Sequence, residues 1–300
     1  MTGERVAYVN GKIVHESQAT VSINDRGFLY GDAVFDTTRT FGHRIFKLEE
    51  HLERLYASLK YMRIDPGLTR DQMAGLTMQV LEANLPLLED DDDYWVSQRV
   101  SRGVRGAAWD ATPTVVVECF PLPFAERARF YRSGLPVATP AVRRTPQQSM
   151  SPRAKTHNYI NLIQGDLEVK ARDPDAWAIL LDVDGNIAEG MGSNFFIVKG
   201  GAVLTPKGQN VLGGISRDTT IELAQELGIE VKEADIDLFD AYTADEAFVT
   251  STSFCICHIS SINGSKIGDG YSPGPTTGRL QKAYSGLVGM DFVAQYLARL

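Results

Sequence analysis

The sequence predicts a mixed α+β protein built as two domains. Three observations carry this. The 300 residues are 43% hydrophobic and 23% charged, an ordinary globular composition that excludes collagen-like, coiled-coil and wholly disordered chains. At roughly 100–200 residues per domain, this length asks for one large or two medium domains. Finally, strand-like and helix-like hydrophobic periods follow one another in both halves, with antiparallel hairpin signals among them.

The elements follow in order. Residues 6–14 alternate and break at Asn10-Gly11, a two-residue hairpin signal. A second extended stretch runs from about Gly31 to Phe46, punctuated by Gly42. The period then changes: Leu48, Leu52, Leu55, Leu59 and Met62 recur every three or four residues and predict an amphipathic helix ending near Pro66-Gly67. Thr69 or Asp71 opens the next helix. The acidic run Glu89–Asp93 reads as a solvated loop. Two strands are predicted over Tyr94–Ser101 and Thr114–Phe120. The turn-rich stretch after Pro121 reads as a connection, which divides the chain into a smaller domain 1–121, a connection 122–136 and a larger domain 137–300. In the larger domain a helix is predicted over Tyr159–Ala171, then strands over Ala178–Val183 and into Glu189. A hairpin follows over Asn194–Lys199 and Ala202–Leu204, with a helix over 217–227 that stops at Gly228. The strand Ala247–Thr252 and one final helix from about Gly278 to Leu300 complete the chain.

Charge and cysteine content narrow the class of function. Thirty-eight acidic and thirty basic side chains leave a formal charge of −8, which argues against nucleic acid or an anionic membrane as partner. Three cysteines, Cys119, Cys255 and Cys257, are too few for a disulfide framework and fit a reduced, cytoplasmic setting. No apolar run approaches a membrane span, and no export signal is visible. The five histidines show no metal-ligand spacing, so no metal is expected.

Several segments suit chemistry, each with a plainer reading beside it. Gly213-Gly214-Ile215-Ser216-Arg217 places two glycines before a helix start, with Ser216 in the N-cap position. Such an end suits a phosphate, and it equally describes a common capped helix. Thr250 to Ser253 sets four hydroxyls at the end of an apolar strand, as further anion donors or as a polar junction. Arg54 lies off the centre of its helix's apolar stripe, as a phosphate clamp or a solvated residue. Lys155 stands among cationic neighbours ahead of a helix, as an amine nucleophile or a surface lysine. Glu189 precedes the turn Gly190-Met191-Gly192, where a carboxylate suits a heterocycle's proton or simply a surface turn.

Taken together, these segments resemble the class IV aminotransferases, the pyridoxal-phosphate enzymes of fold type IV that share a D-amino-acid aminotransferase-like two-domain architecture. The resemblance runs over nearly the whole chain. It rests on Tyr30 to Asp36, His51-Leu52-Glu53-Arg54-Leu55, Lys155 to Tyr159, Glu189 to Phe195, Leu212 to Arg217 and Thr250 to Ser253. It implies pyridoxal 5′-phosphate as cofactor and Lys155 as the catalytic residue, forming a Schiff base with it. It further implies that Glu189 pairs with the pyridine nitrogen. Arg54, Ile215, Ser216, Ser251 and Thr252 would surround the phosphate, Tyr159 would bond the ring oxygen, and Leu212 would pack on the ring face. Tyr30, Phe35, Gly192 and Ser253 would line the substrate side, with Arg39, Arg102 and Arg105 as candidates for the substrate carboxylate. The implied activity is transfer of an amino group between a hydrophobic or branched-chain L-amino acid and a 2-oxo acid, with (R)-primary amines as further donors. An (R)-amine:pyruvate transaminase, a D-amino-acid aminotransferase and an aminodeoxychorismate lyase are the alternatives. The resemblance also implies a homodimer or higher homo-oligomer.

Overall fold

The computed structural model describes residues 3–104 and 112–300. They form two compact units. The first comprises residues up to Leu122 together with Ala154–Asn158, and the second comprises Pro123–Arg153 and Tyr159–Leu300.

The first unit holds β1 (Val6–Val9), β2 (Lys12–His15), α1 (Arg26–Tyr30), β3 (Ala33–Phe41), β4 (Arg44–Ile45), α2 (Leu48–Met62), α3 (Arg70–Asn84), β5 (Tyr94–Ser101) and β6 (Thr114–Pro121). Its six strands make one sheet in the order β2-β1-β6-β5-β3-β4. The predicted hairpin is present, β1 pairing with β2 across Asn10-Gly11; the stretch read as one extended segment folds back at Gly42 and His43, both with positive φ, so that β3 turns into β4. Asn10 itself sits at φ 46°, a left-handed position that suits Asn. Leu52, Leu55 and Leu59 of α2 pack with Met73, Val80 and Leu81 of α3 against Val34, Val96, Val100 and Val117 of the sheet. α3 opens at Thr69 with a reciprocal capping box to Gln72, which satisfies two helix-end N–H groups.

Two expectations change here. The stretch read as extended from Gly31 is preceded by the short helix α1, capped by Asp25. Asp93, at the end of the acidic run, is buried rather than solvated and accepts from Thr40 Oγ1 at 2.6 Å. Of the candidate carboxylate ligands, Arg105 lies outside the described residues.

The second unit holds α4 (Phe124–Ser133), β7 (Leu135–Ala138), α5 (Ile160–Lys170), β8 (Trp177–Leu181), β9 (Ile187–Gly190), β10 (Ser193–Lys199), β11 (Ala202–Pro206), α6 (Ile215–Glu226), β12 (Val231–Ala234), α7 (Leu238–Tyr242), β13 (Glu246–Ser251), β14 (Cys255–Ile262), β15 (Ser265–Lys266), α8 (Pro275–Val288) and α9 (Phe292–Leu297). Its nine strands run β12-β11-β10-β13-β14-β7-β8-β9, with β15 on β14. A further pairing of β9 with β10 joins that path back on itself. The strands β10, β13, β14, β7, β8 and β9 therefore form a closed ring, which leaves none of them with an open edge. Phe195, Phe196, Phe248, Ile256 and Leu180 are fully buried in this unit.

The stretch 122–136, read as a connection, contains α4 and the start of β7. The predicted final helix is two helices, α8 and α9, separated where Gly289 takes a left-handed φ of 74° and ends α8.

Candidate active site

In the first unit the sequence places His51, Arg54 and Ser58 at three- and four-residue steps, so α2 carries them on one side while Leu52, Leu55 and Leu59 face the core. On that side Arg54 grips Asp36 of β3 with both arms: Nε donates to Oδ2 at 2.8 Å and Nη2 to Oδ1 at 2.7 Å. His51 Nδ1 meets Asp36 Oδ1 at 2.7 Å. Burial by itself raises the Asp36 carboxyl, but the charge of Arg54 and the bond to His51 outweigh it and hold the group well below the usual carboxylate range. Burial lowers His51 despite its carboxylate partner, so a neutral ring donating from Nδ1 fits the geometry.

Lys155 reaches this unit on a short extended segment. Phe35 N donates to Lys155 O at 3.0 Å and His157 N to Ala33 O at 2.9 Å, and Val34 bridges to Thr156. Lys155 N donates to Ser58 Oγ at 3.0 Å, which in turn donates to Arg54 O. The Lys155 backbone is thus tied both to β3 and to the Arg54 turn of α2. Its Nζ stands 4.6 Å from the centre of the Phe35 ring. His157 meets the same ring edge-on at 5.3 Å, and burial, aided by Arg99, pushes its imidazole down to about 4.

Two of the candidate carboxylate ligands are engaged within the first unit. Arg39 is 1% exposed; its Nε donates to Thr40 O and its guanidinium lies 4.0 Å over the Phe41 ring, beside Asp93. Arg102 binds Asp32 with both arms and donates to the carbonyls of Met62 and Arg63, closing the end of α2. Both arginines hold the first unit together. Tyr30, at the end of α1, is exposed on this unit and near Arg26.

In the second unit Glu189 is the penultimate residue of β9, 5% exposed. Its Oε1 takes Arg144 Nε at 2.9 Å and its Oε2 takes the Leu212 N–H at 3.0 Å. Asn194, directly across the strand pair from Glu189, donates from Nδ2 to Leu212 O at 2.9 Å. Leu212 is thereby held at both its N–H and its C=O. Gly213 and Gly214 follow, and α6 begins at Ile215.

The N-cap of α6 is Gly214 and not Ser216; no side chain among the described residues caps it. Ser216 lies inside the first turn, buried, with its Oγ 3.4 Å from Tyr284 Oη. The start of a twelve-residue helix therefore lacks a side-chain cap, and a Cβ on Gly213 would meet nothing within 4 Å. Next to Asn194 in register stands Thr250, whose buried Oγ1 has no hydrogen-bond partner among the described residues. The predicted hydroxyl cluster continues as a turn: Ser251 Oγ accepts from Phe254 N at 2.9 Å and lies 3.3 Å from Ser253 Oγ, with Thr252 half-buried between them. Gly192 makes the β9–β10 turn at φ 85°, a position suited to glycine. Tyr159 precedes α5 and packs with Met191 against Leu162, Val169 and Leu180.

Among the described residues no cluster of His, Cys, Asp and Glu is arranged to hold a metal ion. Local sequence reading did not single out Asp36, His51, Arg144, Asn194 or His157. Each earns its place through a partner distant in sequence.

The family model for amino-transferase class IV matches residues 33–262. The chain belongs to the class IV aminotransferases. This aminotransferase is 38% identical over 262 residues to a putative branched-chain-amino-acid aminotransferase of Methanocaldococcus jannaschii, covering 86% of this chain and 88% of that one. It is 32% identical over 302 residues to the Escherichia coli K12 branched-chain-amino-acid aminotransferase, covering 96% and 94%. Among solved structures it is similar to the branched-chain aminotransferase from the thermophilic archaeon Thermoproteus uzoniensis with norvaline, with TM-score 0.85, 28% identity and 96% of both chains covered. Another similar structure is a branched-chain amino acid aminotransferase complexed with N-(5′-phosphopyridoxyl)-L-glutamate, with TM-score 0.85 and 25% identity. The likeness confirms the mixed α and β, fold type IV architecture that the sequence implied.

Proposed function

We propose that this class IV aminotransferase moves the amino group of a branched-chain or other hydrophobic L-amino acid to a 2-oxo acid, with pyridoxal 5′-phosphate as cofactor. One observation carries the reading: Glu189 binds the N–H of Leu212, and two glycines later α6 begins without a side-chain cap. A buried carboxylate and an anion-binding helix end are thus joined by a short, tied segment, and a molecule with a basic ring nitrogen at one end and a phosphate at the other matches both. The orphaned Thr250 Oγ1 beside them supplies one more polar contact. The relatives named as branched-chain enzymes support the substrate class.

When bound, the cofactor supplies a carbonyl carbon that exchanges amines and a ring that accepts an electron pair. The chain's own residues do the rest. Glu189, steadied by Arg144, holds a proton at the ring nitrogen. Backbone N–H groups of Ile215 and Ser216, with Thr252 and Arg54, hold phosphate oxygens. Leu212 covers one ring face. Lys155 Nζ would hold the cofactor's carbonyl end and would move the proton at the substrate's α-carbon. Tyr159 bonds the ring oxygen, while Tyr30, Phe35, Gly192 and Ser253 line the substrate side. The donor leaves as a 2-oxo acid before the acceptor enters, so initial-rate plots are expected to be parallel. We also read the enzyme as a cytoplasmic homodimer, supported by its buried free thiols and by its family resemblance.

A donor screen of the holoenzyme tests the reading, using L-leucine, D-alanine and (R)-1-phenylethylamine with 2-oxoglutarate or pyruvate. L-Leucine with 2-oxoglutarate is expected to be the fastest pair. A preference for D-alanine or the amine would replace the proposed substrate class, and pyruvate release without an acceptor would replace transamination with lysis.

Gly214 offers a second check. A Cβ there would stand 2.1 Å from Asn194 Oδ1, pushing Asn194 off the Leu212 carbonyl. Gly214→Ala is expected to raise the cofactor's dissociation constant about tenfold, the loss of roughly one hydrogen bond, measured by titrating apoenzyme with the cofactor.

A further inference from the structure

The second unit carries a cation that none of the roles above uses. Arg127 lies on α4 with its Cζ 4.5 Å from the centre of the Phe254 ring and 5.7 Å from that of Trp177. Its Nη1 donates to Ser253 Oγ. Arg127 as a residue is half-buried. Burial lowers its ordinary value, yet arginine stays charged under such conditions.

The turn it touches is held firmly. Tyr296 Oη donates to Ser253 O at 2.5 Å, and Tyr131 Oη donates to Phe254 O. The two tyrosine rings stack at 4.6 Å. Both carbonyls of the turn are therefore occupied from the side of α4 and α9, and Ser253 presents its hydroxyl to the arginine.

Strand register shows where this turn lies. Thr250 at the end of β13 faces Asn194 of β10, and Asn194 faces Glu189 of β9. Gly190 faces both Ser193 and Ile179, and Trp177, at the start of β8, donates from its indole N–H to Ser193 Oγ at 3.0 Å. The turn 251–254, the turn 190–193 and Trp177 thus share one end of the closed ring, beside Glu189. Arg127 is a cation fixed on the rim where the ring-nitrogen carboxylate stands.

We propose that Arg127, acting with the Ser253 hydroxyl, binds the carboxylate of the amino-acid donor and of the 2-oxo-acid acceptor. The proposal rests on the aminotransferase reading and deepens it by naming what makes a carboxylate part of the substrate. A guanidinium recognises a carboxylate through charge-assisted, geometrically fixed hydrogen bonds. The aromatic faces of Phe254 and Trp177 hold its plane in place.

A matched pair of ligands tests it without turnover. 4-Methylvaleric acid has the leucine skeleton without the amine, and 4-methylvaleramide differs only in the charge of its head group. Calorimetric titration of the cofactor-loaded enzyme is expected to show the acid binding at least about tenfold more tightly than the amide. In Arg127→Gln that preference disappears while amide affinity stays unchanged. Should Arg127→Gln fail to fold, Ser253→Ala serves, with the acid preference reduced at least about threefold. A purely structural Arg127 would weaken acid and amide alike, which overturns the proposal, as does an unchanged preference in the variants or none in the wild type. Failure of the aminotransferase reading shows separately, as no amino transfer from L-leucine by the wild-type holoenzyme.

Discussion

Replacing Lys155 with alanine is expected to lower the turnover number at least about a thousandfold, the scale of losing a proton-transferring group that also holds the cofactor, while leaving the protein folded. The structure separates the two effects. Main-chain bonds tie residues 154–158 to the first unit: Phe35 N to Lys155 O, His157 N to Ala33 O, and the Lys155 N–H on Ser58. All of them survive removal of the side chain. The side chain itself passes over Phe35 and is half-buried, so alanine leaves little empty core volume. Circular dichroism and the melting temperature should therefore match the wild type. Borohydride reduction of the wild-type holoenzyme, followed by peptide mass mapping, is expected to leave the cofactor's mass on the Lys155 peptide. Turnover of Lys155→Ala within tenfold of the wild type would remove Lys155 from the chemistry.

Asp36→Asn is expected to be the most destabilising single change near the site, at about 3–5 kcal/mol, as is usual when one member of a buried ion pair is removed. Asp36 is fully buried and receives both arms of Arg54 as well as His51. An amide in its place offers Arg54 one neutral acceptor and turns a donor toward a guanidinium. Urea unfolding measures the loss. Cofactor affinity should fall with it, because the Arg54 side chain is aimed by this carboxylate.

The same cluster sets an acid sensitivity. Asp36 titrates lower in the folded protein than in the unfolded chain, so the unfolded chain binds the extra proton. This contribution is complete above the unfolded value of about 3.9 and is lost as pH falls below it. His51 is also lowered on folding. The unfolded chain takes up its proton first, and stability falls from about pH 6.5 downward. Both effects act in the same direction. A stability profile flat between pH 4 and 7 would contradict the His51 assignment. His51→Gln is expected to make the upper part of the slope shallower, the remainder coming from His157 and His258, which burial also lowers.

Much of the scaffold was legible because its signals are local. Strand alternation delimits β5 and β6 to within a residue, and Asn10-Gly11 marks the first hairpin. Thr69 announces α3 through its capping box with Gln72. Helices whose reasons are tertiary escaped. α1 is only five residues long, and Asp25, which caps it, also accepts from Ser101 and Thr114. α4 follows two prolines that read as turn signals, yet Pro123 is simply its N-cap. Ser216 illustrates a different failure. Serine before an apolar helix ordinarily caps it, but here the helix starts two residues earlier than such a cap would place it, and the hydroxyl is inside its first turn.

The site divides in the same way. Lys155, Arg54 and Glu189 stand in motifs whose order and spacing resemble a known family. Their partners do not, because they are joined across long stretches of chain: 18 residues from Asp36 to Arg54, 45 from Arg144 to Glu189, 126 from Arg127 to Ser253. Arg39 and Arg102 show the converse. As single residues they suit a substrate carboxylate, and only the fold reveals Asp93, Asp32 and the end of α2 as their partners.

The strip Ala154–Asn158 bears on how the protein is made. The first unit is not finished when Leu122 has been synthesised, since β3 takes its bridge at Thr156 and its bonds at Lys155 and His157 from a segment that follows Pro123–Arg153. On the ribosome, that unit must wait with one flank of β3 unsatisfied until the second has begun to emerge. The peptide that completes it is the one carrying the reactive lysine. A chain terminated ahead of Ala154 would lack both the chemistry and the last contacts of the unit that positions Arg54.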